Sequence, residues 1–192
     1  MRKKLLAIAM TLLLLGGCGK KTDATMQRAL DFRSALLGAG GCTFSADFTA
    51  DYEDEIFQFS AQCVCDGAGV TLTVTAPETL CGIRAEVKGD DARVLFDDTQ
   101  IALSLLSERL APMSAPFRFY GAWTEDYVQY TGAEGELLRM TAAQGYDKEE
   151  LSVDTWLDSE NIPLRAEIAA EGRTLLFAEI TDFRFGTEAP SR

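Results

Sequence analysis

Apolar residues first recur at helical spacing, where Met26, Ala29, Leu30, Leu36 and Leu37 share one face. Asp23 or Thr25 can cap that helix, and Gly38, Gly40 and Gly41 end it. Past Gly41 the period drops from about 3.6 to two. Cys42, Phe44, Ala46, Phe48 and Ala50 fall on one face, then Phe57, Phe59, Ala61, Cys63 and Cys65, then Val70, Leu72, Val74 and Ala76. Tyr52-Glu53-Asp54-Glu55 and Asp66-Gly67-Ala68-Gly69 are turn sequences, so 42–50, 56–65 and 69–76 read as an antiparallel meander with one apolar face. The same reading places strands at 82–88, 92–96, 99–106, 126–131, 136–144, 150–157, 163–171 and 173–185. Turn signals separate them at Gly89-Asp90-Asp91, Asp97-Asp98, Gly132 to Gly135, Asp158 to Asn161 and Glu171-Gly172. Eleven such segments predict a mainly β, α+β fold: one curved antiparallel sheet that curls into an unclosed barrel.

One stretch breaks the strand rhythm. Ser114 to Trp123 begins with a capping residue and an early proline, Pro116, which favours a short helix. Phe117, Phe119, Tyr120 and Trp123 make it apolar nearly all round, so it must be covered on several sides by sheet, helix or ligand.

The first residues follow another logic. Arg2-Lys3-Lys4 precedes an eleven-residue apolar run, Leu5 to Leu15, too short to span a bilayer but of the length of a signal-peptide core. Leu15-Gly16-Gly17-Cys18 resembles a bacterial lipobox, which implies cleavage between Gly17 and Cys18 and a diacylglyceryl thioether on the Cys18 sulfur. The alternatives are an ordinary secretory signal or a short buried helix. The lipobox reading divides the chain into a leader (1–17), a lipidated cysteine and tether (18–23), one half-barrel domain (24–186) and a disordered tail (187–192). It places the protein on the outer face of the cell membrane, or on the outer membrane where one exists. Lys20 and Lys21 would then lie near anionic headgroups.

Charge narrows the function classes. The chain carries 18 basic and 30 acidic side chains and no histidine. Loss of Arg2, Lys3 and Lys4 with the leader leaves 15 basic against 30 acidic groups, a net charge near −15. So acidic a body is a poor nucleic-acid binder. Without histidine there is no Ser–His–Asp triad, no imidazole base and no His-ligated zinc. Gly38-Ala39-Gly40-Gly41 lacks the Lys-Ser/Thr of a phosphate loop, and there is no Gly-x-Ser-x-Gly nucleophile elbow. The acidic clusters at Asp51 to Glu55, Asp90-Asp91, Asp97-Asp98 and Glu149-Glu150 sit in predicted turns without calcium-loop spacing, and read as solvated surface. No catalytic residue, cofactor or metal is expected.

The order of helix, meander and aromatic helix resembles the lipoprotein-localisation-factor (LolA-like) superfamily. The most family-like stretch is Ala76-Pro77-Glu78-Thr79-Leu80-Cys81-Gly82-Ile83-Arg84-Ala85-Glu86-Val87, followed by Val94-Leu95-Phe96-Asp97-Asp98. Ala111-Pro112-Met113-Ser114-Ala115-Pro116 and Ile180-Thr181-Asp182-Phe183-Arg184-Phe185 fit the same pattern. The resemblance implies an unclosed barrel of about eleven strands, with helices covering its concave face over an apolar cavity for acyl chains. Phe44, Phe48, Phe57, Phe59 and Leu72 on the sheet, with Phe117, Tyr120 and Trp123 on the short helix, are candidates to line that cavity. The alternative is that they fill a solid core.

Cys42, Cys63, Cys65 and Cys81 remain beside Cys18. A two-residue loop at Glu53-Asp54 sets Cys42 opposite Cys65, and a register two residues tighter sets it opposite Cys63. Cys63 should face Leu72 through the Gly67-Ala68 turn, and Cys81 lies beyond Pro77. A Cys42 disulfide, buried reduced thiols and a four-thiolate metal site are the possibilities, the last disfavoured by the Cys63-x-Cys65 spacing. The functional expectation is an anchored lipoprotein that binds a lipid or lipopeptide, not an enzyme. Its rival is an anchored interaction module with a filled core and an acidic face for a protein partner.

Overall fold

The computed structural model describes residues 23–51, 55–88, 91–96, 99–103, 112–143 and 151–187. The leader, Gly17, Cys18, most of the tether, the Asp97-Asp98 and Glu149-Glu150 clusters, the outer end of the 99–106 strand and the tail beyond Thr187 lie outside those residues.

Helix α1 (Ala24–Gly38) leads into β1 (Gly41–Asp51), β2 (Ile56–Asp66), β3 (Gly69–Ala76), β4 (Arg84–Lys88), β5 (Asp91–Phe96) and β6 (Thr99–Leu103). Helix α2 (Ala115–Thr124) follows, then β7 (Tyr127–Glu134), β8 (Leu137–Ala143), β9 (Ser152–Leu157), β10 (Pro163–Ala170) and β11 (Arg173–Phe185). All eleven strands form one antiparallel sheet in the order β6-β5-β4-β3-β2-β1-β11-β10-β9-β8-β7. Each predicted strand is present, and the sheet is unclosed, with β6 and β7 as its edges among the described residues. The β1–β2 register pairs Cys42 with Cys65 and Ala50 with Phe57, and β2–β3 pairs Cys63 with Leu72.

The topology explains why α2 is apolar on so many sides. Its flanking strands, β6 and β7, are the two opposite edges of the sheet, so the connection between them must cross from edge to edge. Helix α2 makes the crossing over the concave face, packing on β2 and β3 and on β8, β9 and β10. Ala115, Pro116, Phe119, Ala122 and Trp123 are buried there.

Helix α1 is capped as its sequence predicts, the Asp23 carboxylate accepting from Thr25 N–H at 3.1 Å. Its buried face differs from the expected one. Ala29, Phe32 and Leu36 are buried and Met26 is half-buried, whereas Leu30 and Leu37 are 41% and 55% exposed. Leu30 and Leu37 each follow a buried residue by one position, a turn of about 100° that carries them to the flank. Phe32, at i+3 from Ala29 and i−4 from Leu36, completes the stripe.

Strand β11 holds a second departure. Ser45 pairs with Thr181 and Thr43 with Arg184, so β11 has one residue more than β1 over this interval, and Asp182 sits at φ 52°. This bulge switches the parity of the strand. Leu176, Ala178 and Ile180 face inward before it, and Phe183 and Phe185 join the Phe32 ring cluster after it.

Candidate apolar ligand site

The centre of the concave face is a stack of aromatic rings. Phe48 stacks on Phe59 at 4.9 Å and on Phe119 at 6.4 Å, and Phe119 stacks on Trp123 at 6.0 Å. Trp123 in turn meets Phe44 at 5.7 Å, Phe32 at 5.9 Å and Phe183 at 6.0 Å, each near edge-to-face. Such pairs add about 0.5–1.5 kcal/mol each beyond the area they bury. The indole N–H of Trp123 donates to Thr155 Oγ1 at 2.9 Å, so the one polar atom of this ring is satisfied inside the core.

A ring facing a void wide enough for a hydrocarbon chain would keep accessible surface on that void. Trp123, Phe119 and Phe32 keep none, and Phe44 keeps 3%. The space between α2 and the middle of the sheet is therefore packed. Of the residues expected around a cavity, Phe44, Phe48, Phe59, Leu72 and Trp123 belong to this packed centre. Phe57 shares the inward face of β2, but lies at the strand's outer end and is 44% exposed.

Cover thins toward the β6 edge. Val94 and Phe96 share the inward parity of Ala92 on β5, yet Val94 is half-buried and Phe96 is 46% exposed. Ile83, just before β4, is half-buried too. On the helical side Met113, Phe117 and Tyr120 recur at i, i+4 and i+7 and are likewise half-buried, and the Pro112–Ser114 turn packs against β4. These six apolar residues border the incompletely covered part of the concave face. Ile83, Val94, Phe96 and Met113 were not singled out as lining residues from sequence. The signal was present in the inward parity of 92, 94 and 96 and in the spacing of 113, 117 and 120.

Arg33 of α1 fixes α2 at its other end. Its guanidinium donates to the carbonyls of Trp123 at 3.0 Å, Ala122 at 2.8 Å and Asp126 at 2.7 Å. Burial pulls the Arg33 pKa down and the nearby Asp126 charge opposes that shift. Arg28 reaches from the same helix to the β9–β10 turn, donating to Asn161 Oδ1 at 3.0 Å and to the Asp158 carbonyl. The Tyr120 hydroxyl is pushed above its ordinary pKa, first by burial and then by Cys42, Cys65 and Asp66.

Cys42, Cys63 and Cys65 are buried and Cys81 is exposed. Burial holds the Cys63 and Cys65 thiols well above their ordinary pKa, so neither is a ready nucleophile. Among the described residues no cluster of three or more Cys, Asp or Glu side chains is placed to hold a metal ion. Several of the described acidic groups make local contacts. Asp66 accepts from Ala68 and Gly69 N–H in its turn, Asp158 accepts from Glu160 and Ile162 N–H, and Asp51 and Asp91 pair with Arg173 and Arg93.

The convex face carries a ladder that the sequence reading did not anticipate. Trp156 points away from the core yet is buried, with the Arg165 guanidinium 4.1 Å from its ring centroid and that of Arg139 at 5.4 Å. Its indole N–H donates to Glu134 at 2.7 Å, and Arg139 also binds Glu134 and Asp154. These side chains tie β7 to β10 across the solvent side of the sheet.

No family model matches the chain, and no curated protein matches its sequence. Among solved structures it is similar to a LolA superfamily protein from Nitrosomonas europaea, at 14% identity and a TM-score of 0.47, over 88% of this chain and 96% of that one. It is also similar to the lipoprotein LppX of Mycobacterium tuberculosis, at 16% identity and a TM-score of 0.42, over 88% and 96% of the two chains. A third likeness is to a chain in the complex of the CwlD amidase with the GerS lipoprotein from Clostridioides difficile, at 15% identity and 0.45, over 86% and 98%.

Proposed function

We propose that the chain is an extracytoplasmic lipoprotein, held at a membrane by acyl chains on Cys18, whose half-barrel takes an apolar, acyl-bearing ligand such as a lipid or lipopeptide. The observation that carries the ligand reading is the uneven cover of the concave face: Phe96 is 46% exposed on the same face where Trp123 is fully sealed. The ligand would lie along β5 against Val94, Phe96, Met113, Phe117 and Tyr120, with the packed rings of Phe44, Phe48, Phe59 and Trp123 as a fixed floor. Each methylene transferred there from water is worth about 0.8 kcal/mol. Binding is passive, with Pro112 and Pro116 marking the end of α2 that moves to admit the chain. Two acyl chains on Cys18 suffice for stable anchoring where one does not.

The test is native mass spectrometry of residues 20–192, made in a lipid-containing host, followed by organic extraction. A stoichiometric lipid, lost in Phe96→Asp, is expected. A clean apo mass that phospholipid micelles leave unchanged would refute the ligand reading. That result would favour the second reading, an anchored interaction module for a cationic partner, to which the sealed ring stack and the net charge near −15 without the leader lend support. The anchor has its own readout. The membrane-extracted protein should begin at a diacylated Cys18, and Cys18→Ser should release it from the membrane.

A further inference from the structure

We propose that Cys42 and Cys65 form a disulfide that staples β1 to β2 at the end of the sheet where α1 enters, while Cys63 and Cys81 stay reduced. The inference rests on the reading of the chain as exported, because such bonds persist in oxidising compartments. Three inward-facing thiols lie close together, and the register selects among them. Cys42 and Cys65 are directly opposed Cα partners in the β1–β2 ladder, and the Cys65 thiol is hydrogen-bonded to that of Cys42. Directly opposed antiparallel residues have Cα atoms about 4.5–5.5 Å apart, inside the range a disulfide spans. Cys63 is opposed by Phe44 on one side and Leu72 on the other. It is the diagonal neighbour of Cys42, about 7–8 Å away by Cα, where a bond needs backbone movement. Cys63 and Cys65 stand side by side on one strand and point the same way. Cys81 follows the turn beyond Ala76 and is exposed, away from the buried rung.

The chemistry is thiol–disulfide exchange with a disulfide oxidant. The Cys42 and Cys65 thiols lose two electrons and two protons as their sulfur–sulfur bond forms, and the oxidant's disulfide takes up both to become two thiols. Because both sulfurs are fully buried in the fold and the Cys65 thiol resists ionisation there, exchange takes place while the strands are still pairing.

All four cysteines of the domain lie between Arg33 and the next tryptic site, Arg84, so trypsin alone cannot map the bond and cleavage after Asp and Glu is required. The full chain carrying Cys18→Ser is denatured, reduced, refolded with a glutathione redox pair, alkylated in denaturant and digested. Two alkylated cysteines, a mass about 2 Da lower from the lost hydrogens, and a 34–47 fragment linked to 56–66 are expected. Cys63→Ser should keep the link, Cys65→Ser should abolish it, and native alkylation should label Cys81 alone. Four alkylated thiols after refolding, or an undiminished link in Cys65→Ser, would overturn the pairing. The wild-type chain expressed with its leader separates this from export. A link formed in glutathione but absent in cells, on a chain still carrying residues 1–17, refutes the export reading and leaves the pairing standing.

Discussion

Replacing Arg33 with methionine keeps the aliphatic stem of the side chain and removes every hydrogen bond between its guanidinium and the end of α2. Three carbonyls, of Ala122, Trp123 and Asp126, lose their donor at a helix C-terminus, where the backbone has no intrahelical partner to offer. Bonds from a charged donor are worth about 1.5–3 kcal/mol each in protected sites. The guanidinium is only half-buried, and its lowered pKa reports the desolvation that the native state already bears, so the low end applies. Loss of the favourable charge at the helix end adds about 0.3–1 kcal/mol. With water repairing the outermost carbonyl, two bonds at about 1.5 kcal/mol each and the helix-end charge together cost about 3–4 kcal/mol. For a urea slope of about 2 kcal/mol/M, the unfolding midpoint should fall by about 1.5–2 M, followed by the fluorescence of Trp123 and Trp156. Arg33→Lys keeps the charge but cannot bridge three carbonyls, and should fall between the two. A methionine variant within 0.5 M of the parent, on a slope of about 2 kcal/mol/M, would refute the reasoning and mean that α2 is held by ring packing alone.

Other perturbations test other joints. Thr155→Val preserves shape but strands the Trp123 indole N–H in the core, and should cost about 1–3 kcal/mol in the same urea assay. Gly41 lies at φ +142° with a Cβ position 2.1 Å from the Cys65 carbonyl oxygen, so Gly41→Ala should prevent β1 from seating on β2 and collapse the soluble yield and the far-ultraviolet strand signal. The Glu134 carboxyl is held below its ordinary pKa, first by the Trp156 indole and then by Arg139. A folded pKa below the unfolded one stabilises above the unfolded value, and the contribution is lost as pH falls through the folded value. Acid titration of Trp156 fluorescence should therefore show a transition below the normal glutamate range, absent in Glu134→Gln.

The strands were legible because alternation records which face of a sheet a residue occupies, and every inward position from Cys42 to Val74 is inward in the fold. Alternation does not record how deep on that face a residue lies. Phe57 and Phe59 share one parity, yet one ends at the rim and the other under Phe48, since depth depends on where α2 crosses. The bulge at Asp182 could have been read from the parity change between Ile180 and Phe183, which a single continuous strand over 173–185 passes over. Trp156 escaped for the opposite reason. It occupies an outward position, where burial comes from two arginines on neighbouring strands and not from any pattern on its own. Whether rings enclose space or fill it depends on how α1 and α2 meet, a tertiary fact that spacing along the chain does not encode.

The place of β11 in the sheet has a consequence for how the molecule comes into being. The last of the described strands lies at the middle of the sheet, between β1 and β10. Synthesis delivers residues at about 5–20 per second, so the two arms emerge well apart in time, each able to form its own hairpins but with no ladder between them. Only when residues 173–185 arrive does the seam close, bringing Phe185 beside Cys42 across the longest loop of the fold. Until residues 173–185 are made, the nascent chain is two separate arms with no ladder to join them, so the whole sheet cannot lock before that segment has emerged.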